Sequence, residues 1–187
     1  MKNKGFTLIE LLIVITLLGI LAVAVLSAIN PIEQMNRSRD TATRSDAEQL
    51  INAIDRYYAT TGYYPWRTGA TDKDLVTGSV GVPWTPVNED WVDTEGELVL
   101  DKLSSGGYAE VKESFVTRIS DDSYNTLQVY NRGQGGDSTY ICFEPASQAF
   151  KEEAAERCEV VEGEIALPDD FPEDDACGGE IKYNCLP

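Results

Sequence analysis

The sequence predicts an α+β fold in which a long N-terminal helix, transmembrane in its first half, packs through its second half on a small antiparallel β-sheet. Residues 11–29 carry no charge, and as a helix they would measure about 28 Å, close to the ~30 Å hydrocarbon core of a bilayer. Apolar residues then recur at spacings of three and four between Ala47 and Tyr58, as on the buried face of a helix. Residues 127–131 and 140–143 form two alternating runs, which are typical of a β-hairpin.

The helical pattern extends from about residue 6 to residue 61. Gly19 and Pro31 are its weak points, because glycine lowers helix stability and proline removes a backbone donor. We therefore expect one long helix with a kink or local irregularity at Asn30-Pro31 and an end at Gly62. The face that should contact the sheet consists of Ala47, Leu50, Ile51, Ile54, Tyr57 and Tyr58.

Residues 63–187 are predicted to form a globular head around the sheet, with residues 133–137 as the turn of its hairpin. Residues 68–86 are rich in glycine and threonine and predict an irregular loop. The pattern of residues 97–119 fits short helices about as well as strands, with a break at Gly106-Gly107. The three tryptophans are expected to be core residues or loop anchors: Trp66, Trp84 and Trp91.

The four cysteines all lie beyond the apolar segment and show no C-x-x-C spacing, so two disulfides in an oxidising compartment are the simplest account. Three pairings are possible. We expect each cysteine to pair with its nearest neighbour in sequence, because this closes short loops. The predicted bridges are Cys142–Cys158 and Cys177–Cys185.

Charge and composition narrow the classes of function. The chain of 187 residues has a net charge of −17, and residues 1–60 hold as many basic as acidic residues, so the excess falls on residues 61–187. Such a head should repel nucleic acid. The chain contains no histidine, which removes Ser-His-Asp and Cys-His catalysis and every imidazole metal ligand. An enzyme is therefore the least favoured class.

The first ten residues hold the most informative motif. Lys2 and Lys4 precede Gly5-Phe6, and the apolar run is not followed by the small-residue cleavage site of an ordinary secretory signal. We expect cleavage between Gly5 and Phe6, which would leave the helix in the mature protein. Glu10 would cost about 2.5–3.5 kcal/mol at a helix centre, so it needs a partner. The new α-amino group of Phe6, from the same or a neighbouring copy, is one candidate; alternatively, Glu10 simply reaches the headgroups.

The octapeptide Lys-Gly-Phe-Thr-Leu-Ile-Glu-Leu at residues 4–11 resembles the class III signal of type IV prepilins and type II secretion pseudopilins. The resemblance implies cleavage after Gly5 by a membrane prepilin peptidase, N-methylation of Phe6, and a role for Glu10 in docking a subunit into a filament. It divides the chain into a leader (1–5), a transmembrane assembly helix (6–30), an amphipathic helix (31–62) and an acidic extracytoplasmic head (63–187).

A second pattern is similar to the end of the helix in major pseudopilins and related pilins: Tyr57, Gly62, Tyr64 and Pro65. The resemblance implies identical or related pilin subunits, a prepilin peptidase and methylase, and an inner-membrane assembly platform as partners. It also implies a single-pass membrane protein with a cytoplasmic N-terminus before assembly, and an extracellular or periplasmic filament afterwards.

The leading functional hypothesis is thus a structural subunit of a type IV pilus-like filament. The alternatives are a pseudopilin of a type II secretion system, a minor tip pilin with an adhesive or cation-binding role, and a membrane-anchored enzyme. No cofactor is expected, although one acidic stretch could supply oxygen ligands to Ca²⁺. Its residues are Asp169, Asp170, Glu173, Asp174 and Asp175. A solvated acidic loop is the favoured interpretation, since the glycine turn of an EF-hand is missing.

Overall fold

The computed structural model describes residues 5–28, 30–69, 81–121, 123–134, 136–159 and 167–187. Contacts divide the chain into two units, residues 1–35 and 36–187, and each is described by itself. Lys2 and Lys4 lie outside the described residues, as does most of the loop predicted for residues 68–86.

The first third of the chain contains two helices, α1 (Leu8–Ala28) and α2 (Pro31–Thr61). The irregularity predicted at Asn30-Pro31 is confirmed, since Asn30 is not helical and Pro31 begins a second helix. The first helix begins at Leu8 and not at about residue 6. Asn30 caps the second helix, because its Oδ1 accepts a hydrogen bond of 3.3 Å from the backbone N–H of Glu33. Pro31 occupies the first helical position, where its missing N–H costs nothing.

Helix α2 forms one wall of the core of the second unit. The predicted stripe is buried from Ala47 to Tyr57, whereas Tyr58 is 45% exposed and was wrongly assigned to it. Gly62 ends the helix as expected: its φ is 81°, and its N–H donates to the carbonyl of Tyr58 at 2.8 Å.

The head contains a four-stranded antiparallel sheet in the order β1-β2-β3-β4. The predicted hairpin is confirmed as β2 (Gln128–Asn131) and β3 (Tyr140–Phe143). β1 (Val82–Pro86) lies where a loop was expected; its two prolines obscured the strand signal and are tolerated because β1 is an edge. β4 (Asn184–Leu186) completes the sheet beside β3.

The ambiguous stretch resolves into helices, α3 (Val99–Ser104) and α4 (Glu113–Ile119), with a short 3-10 helix (Gly106–Tyr108) between them. Two further helices had not been predicted, α5 (Gln148–Cys158) and α6 (Glu173–Cys177).

The sheet separates two apolar clusters. Alternate residues of the strands point to opposite faces, so Val129, Ile141 and Phe143 join the main core with α2, whereas Tyr140 and Cys142 join a smaller cluster. The smaller cluster also contains Phe171, Ala176 and Cys185 from the C-terminal region. Trp66 and Trp91 are buried in the main core, and Trp84 packs edge-on against Tyr183 on the other side.

Two carboxylates on α2 are buried and bind distant parts of the head. Asp40 accepts hydrogen bonds from the backbone N–H groups of Ala146 and Ser147 at 3.0 and 2.8 Å, at the start of α5. Asp46 binds the guanidinium of Arg118 through both oxygens and accepts a hydrogen bond from the hydroxyl of Tyr124 at 2.5 Å. A buried carboxylate requires such partners, and here they attach α2 to segments more than 70 residues away.

The predicted disulfide pairing is wrong: the bridges are Cys142–Cys185 and Cys158–Cys177. β4 places Cys185 directly opposite Cys142 on β3, where side chains of neighbouring strands are close enough to be joined. Cysteines that are neighbours in sequence do not pair, because the C-terminus returns to the sheet and brings Cys185 to Cys142. The second bridge joins the ends of α5 and α6.

Candidate functional site

The N-terminal motif begins α1 through a reciprocal pair of side-chain hydrogen bonds. Oε2 of Glu10 accepts from the backbone N–H of Thr7 at 2.8 Å and from its hydroxyl at 2.7 Å. The Thr7 hydroxyl in turn accepts from the backbone N–H of Glu10 at 3.3 Å. This is a capping box, which satisfies donors that the first turn of a helix leaves unpaired.

The capping box changes the interpretation of Glu10. From the sequence alone, Glu10 is a carboxylate in an apolar helix that needs a partner, and the Phe6 amine and the headgroups are the candidates. In the structure it lies in the first turn of α1 and is bound to Thr7 within its own chain. Thr7 was missed as a functional residue, although the spacing T-x-x-E is a recognisable signal for a helix start. Whether Glu10 also meets a Phe6 amine stays a prediction.

The local structure leaves Gly5 and Phe6 without a packing role. A β-carbon at Gly5 would have no atom within 4 Å, and its φ lies outside the left-handed region that favours glycine. The side chain of Phe6 is 89% exposed. Neither residue type is therefore required by the fold of the described residues, and cleavage between them stays a prediction.

Beyond the motif, α1 presents an apolar surface without charged residues. Residues 8–27 are long and apolar enough to cross a membrane by length and composition, and none of them is buried within the chain. The hydroxyl of Thr16 is satisfied inside the helix, since it donates to the carbonyls of Leu12 and Ile13 at 3.0 and 2.9 Å. A helix that satisfies its own polar groups is suited to hydrocarbon.

The acidic C-terminal stretch is not assembled as a cation site. Within the described ranges, no three acidic or cysteine side chains are grouped so that they could hold a metal ion. Asp170 faces inward and accepts from the backbone N–H of Ser138 at 2.6 Å and the hydroxyl of Tyr140 at 2.9 Å. Burial raises the pKa of Asp170, but these hydrogen bonds outweigh it and hold the pKa below its usual value. Burial and the same carboxylate raise the pKa of Tyr140 to about 12.

The other acidic candidates point elsewhere. Asp169 contributes its backbone carbonyl, which accepts a hydrogen bond from Arg132 at 2.9 Å. Glu173, Asp174 and Asp175 lie on the exposed side of α6. The five residues therefore serve different parts of the fold, and the proposed calcium ligands do not converge.

Comparison with known proteins gives two matches. The family model described as the prokaryotic N-terminal methylation motif matches residues 1–26. The type IV major pilin protein PilE1 of Neisseria gonorrhoeae is 26% identical over 158 residues, which cover 82% of this chain and 84% of that protein. No solved structure matches the chain. The first match covers the capping box and nearly all of α1, and the second extends the likeness to most of the head.

Proposed function

We propose that the chain is a member of the type IV pilin family and a structural subunit of a type IV pilus-like filament. The proposal depends most on one observation: the exposed apolar helix α1 lies almost entirely within the match to the N-terminal methylation motif. A helix with 20 exposed residues of this kind needs surroundings that exclude water, first a bilayer and then the helices of other subunits. The family consists of structural pilins, which supports a structural role over an enzymatic one.

In the proposed pathway, the precursor is inserted with its N-terminus in the cytoplasm and its disulfide-bonded head on the other side. A prepilin peptidase cleaves after Gly5 and the new N-terminus of Phe6 is methylated. An inner-membrane assembly platform then transfers α1 from the bilayer into the filament, which is extracellular or periplasmic. The two disulfides support this orientation, because such bonds persist in oxidising compartments.

Intact-mass analysis of filaments sheared from the source cell tests the proposal. The expected subunit begins at Phe6, carries one added methyl group and retains both disulfides. A protein that begins at Met1, or that never leaves the membrane fraction in cells that do assemble filaments, would contradict it.

A pseudopilin of a type II secretion system is the second candidate, because the same motif and the same helix serve both machines. Deletion of the gene separates them. Loss of surface filaments with normal secretion supports the pilus, whereas exported proteins retained in the periplasm support the pseudopilin. A minor tip pilin is the third candidate, and it predicts that the chain is far less abundant in purified filaments than another subunit.

A further inference from the structure

A basic groove crosses the otherwise acidic second unit. It lies between α2 and the segment that leads into α4 and has a volume of about 490 Å³. Its lining contains three cations, Arg56, Lys112 and Arg118, and one carboxylate, Glu110. We call this surface the basic groove. Arg56 is paired with Glu110 and Arg118 with Asp46, so Lys112 leaves the groove with one excess positive charge. In a head with a large negative charge, this excess favours a negatively charged occupant.

The two arginines of the basic groove are held in place and keep donors available. Arg56 donates from Nε to Glu110 at 2.7 Å, and Arg118 binds Asp46 at 2.8 and 2.9 Å. About half of each side chain is exposed. A guanidinium has five N–H donors, so these pairs leave further donors for a carboxylate from outside. Lys112 is exposed, and among the described residues it forms no ion pair.

The complementary surface is on the same chain. Glu173, Asp174 and Asp175 form three successive exposed carboxylates in α6, which we call the acidic ridge. The Cys158–Cys177 disulfide fixes the end of that helix, and Ala176 is buried beneath it. The acidic ridge is therefore a preformed surface and not a loose tail.

The sheet keeps these two surfaces apart within one molecule. Phe115, which lines the basic groove, belongs to the main core on one face of the sheet. Ala176, at the base of the acidic ridge, belongs to the smaller cluster on the opposite face. A contact between groove and ridge therefore joins two copies of the chain.

We propose that the acidic ridge of one subunit docks in the basic groove of the next, an inference that rests on the proposed filament function. Two different surfaces of one molecule make a heterologous contact, which repeats along an open helical assembly when the rotation does not close a ring. Contacts between the heads would then add direction and register to the packing of the apolar helices.

Charge reversal in the full-length chain, expressed as sole subunit in the source cell, tests the pairing. Lys112→Glu and the double variant Asp174→Lys with Asp175→Lys should each lower filament yield by about tenfold, since like charges then meet. Lys112→Glu should fold, because a carboxylate just before α4 favours the helix start. The combined variant should restore filaments. Intact disulfides on non-reducing gels confirm the fold of each variant.

Matched controls reverse exposed charges outside both surfaces: Lys151→Glu and Glu89→Lys, which should assemble like the parent. Parental yields from both groove and ridge variants would overturn the inference and leave the filament function standing. The pairing would also be overturned if the combined variant did not restore the filament yield, or if the control variants lost filaments as well. Absence of filaments from the parental chain would overturn the proposed function, and this inference with it.

Discussion

Helices α1 and α2 follow one another in the chain but obtain their stability from different sources. Residues 8–27 of α1 bury none of their side chains within the molecule, and their apolar residues surround the helix on all sides. α2 buries nine of its 31 residues, all of them between Asp40 and Tyr57, against the rest of the head. The apolar side chains of the second helix are thus buried by its own chain, whereas those described for the first helix are not.

The difference shows that one sequence can contain two helices that are stabilised in different environments. Full removal of a large apolar side chain from water is favourable by about 1.5–3 kcal/mol. Surroundings that exclude water would therefore stabilise α1 strongly. The polar side chains show the same contrast. α2 uses Asp40 and Asp46 to bind distant backbone and side chains, while α1 satisfies Thr16 within its own turns. We expect mutations in α1 to affect assembly without changing the fold of the second unit, and mutations of buried residues in the second unit to affect its folding.

The largest expected effect is on assembly. Glu10→Ala should abolish filaments almost completely, because it removes the carboxylate that would meet the Phe6 amine of a neighbouring subunit and leaves a buried cation without a partner. The head should keep its disulfides and its melting temperature, since the second unit begins at residue 36. The measurement is filament yield beside a thermal melt of the detergent-solubilised protein.

Glu10→Gln is the matched control, because a glutamine retains the capping-box acceptor for Thr7 but carries no charge. If charge pairing is the cause, the glutamine variant also fails to assemble. If helix capping is the cause, it assembles like the parent. Filaments at parental abundance from Glu10→Ala as sole subunit would show that the carboxylate is not needed.

The disulfides should contribute the next largest effect, on the head alone. Their cysteines are 43 and 19 residues apart, for which loop entropy gives about 4 kcal/mol for Cys142–Cys185 and about 3 kcal/mol for Cys158–Cys177. Alanine replacement of each pair should lower the free energy of unfolding in that order. Peptide mapping without reduction should recover these pairs, and a peptide joining Cys142 to Cys158 would refute the connectivity.

Filament assembly should respond differently to the same two variants. Loss of Cys158–Cys177 frees the end of α6 and with it the acidic ridge, so filaments should weaken even at temperatures where the head remains folded. Loss of Cys142–Cys185 should reduce assembly only in proportion to unfolded protein. Equal filament yields from the two variants, at temperatures where both heads are folded, would argue against a role for the ridge.

Electrostatics inside the head should appear as a pH dependence of its stability. Burial raises the pKa of Asp93, but hydrogen bonds from Lys102 and from the backbone N–H groups of Glu97 and Glu95 outweigh it and hold the pKa below its usual value. A lowered pKa in the folded state stabilises the fold above the unfolded value, near pH 4, and this contribution is lost as the pH falls through the folded value.

Asp93→Asn tests this pair. The variant should cost about 3 kcal/mol at neutral pH, because it leaves the mostly buried Lys102 ammonium without its carboxylate. The difference in free energy of unfolding between parent and variant should stay constant above about pH 5 and shrink below about pH 4. A difference that does not change with pH would assign the effect to packing.

The sequence predicted those features that short-range periodicity encodes. The apolar stripe of α2, its end at Gly62 and the hairpin at Tyr140 follow from spacings of a few residues, and the structure confirms them. Features that depend on distant segments were missed. β4 pairs with β3 across 43 residues, and this return of the chain, invisible in local patterns, set both disulfides.

The N-terminal site shows the same division. The roles of Gly5, Phe6 and Glu10 in processing and assembly were predicted from the motif and stay predictions. The partner of Glu10 within its own chain, Thr7, was not considered. The acidic C-terminal residues were grouped because they are adjacent in sequence. In the structure Asp170 turns inward to Tyr140 while its neighbours stay exposed, which adjacency alone does not predict.

The smallest expected effect lies at the start of α2, where the two units meet in sequence. Asn30→Ala removes the cap whose Oδ1 accepts from the N–H of Glu33, a loss of about 1 kcal/mol for the first turn of a helix. Because the second unit begins at Asn36, the turn should fray without a change in the melting temperature of the head. Hydrogen exchange should become faster at Glu33 and Gln34, and Asn30→Ser should restore protection because serine is also a good cap. A fall of several degrees in the melting temperature of Asn30→Ala would instead place the start of α2 within the cooperative unit of the head, and the boundary between the two units would have to move towards Pro31.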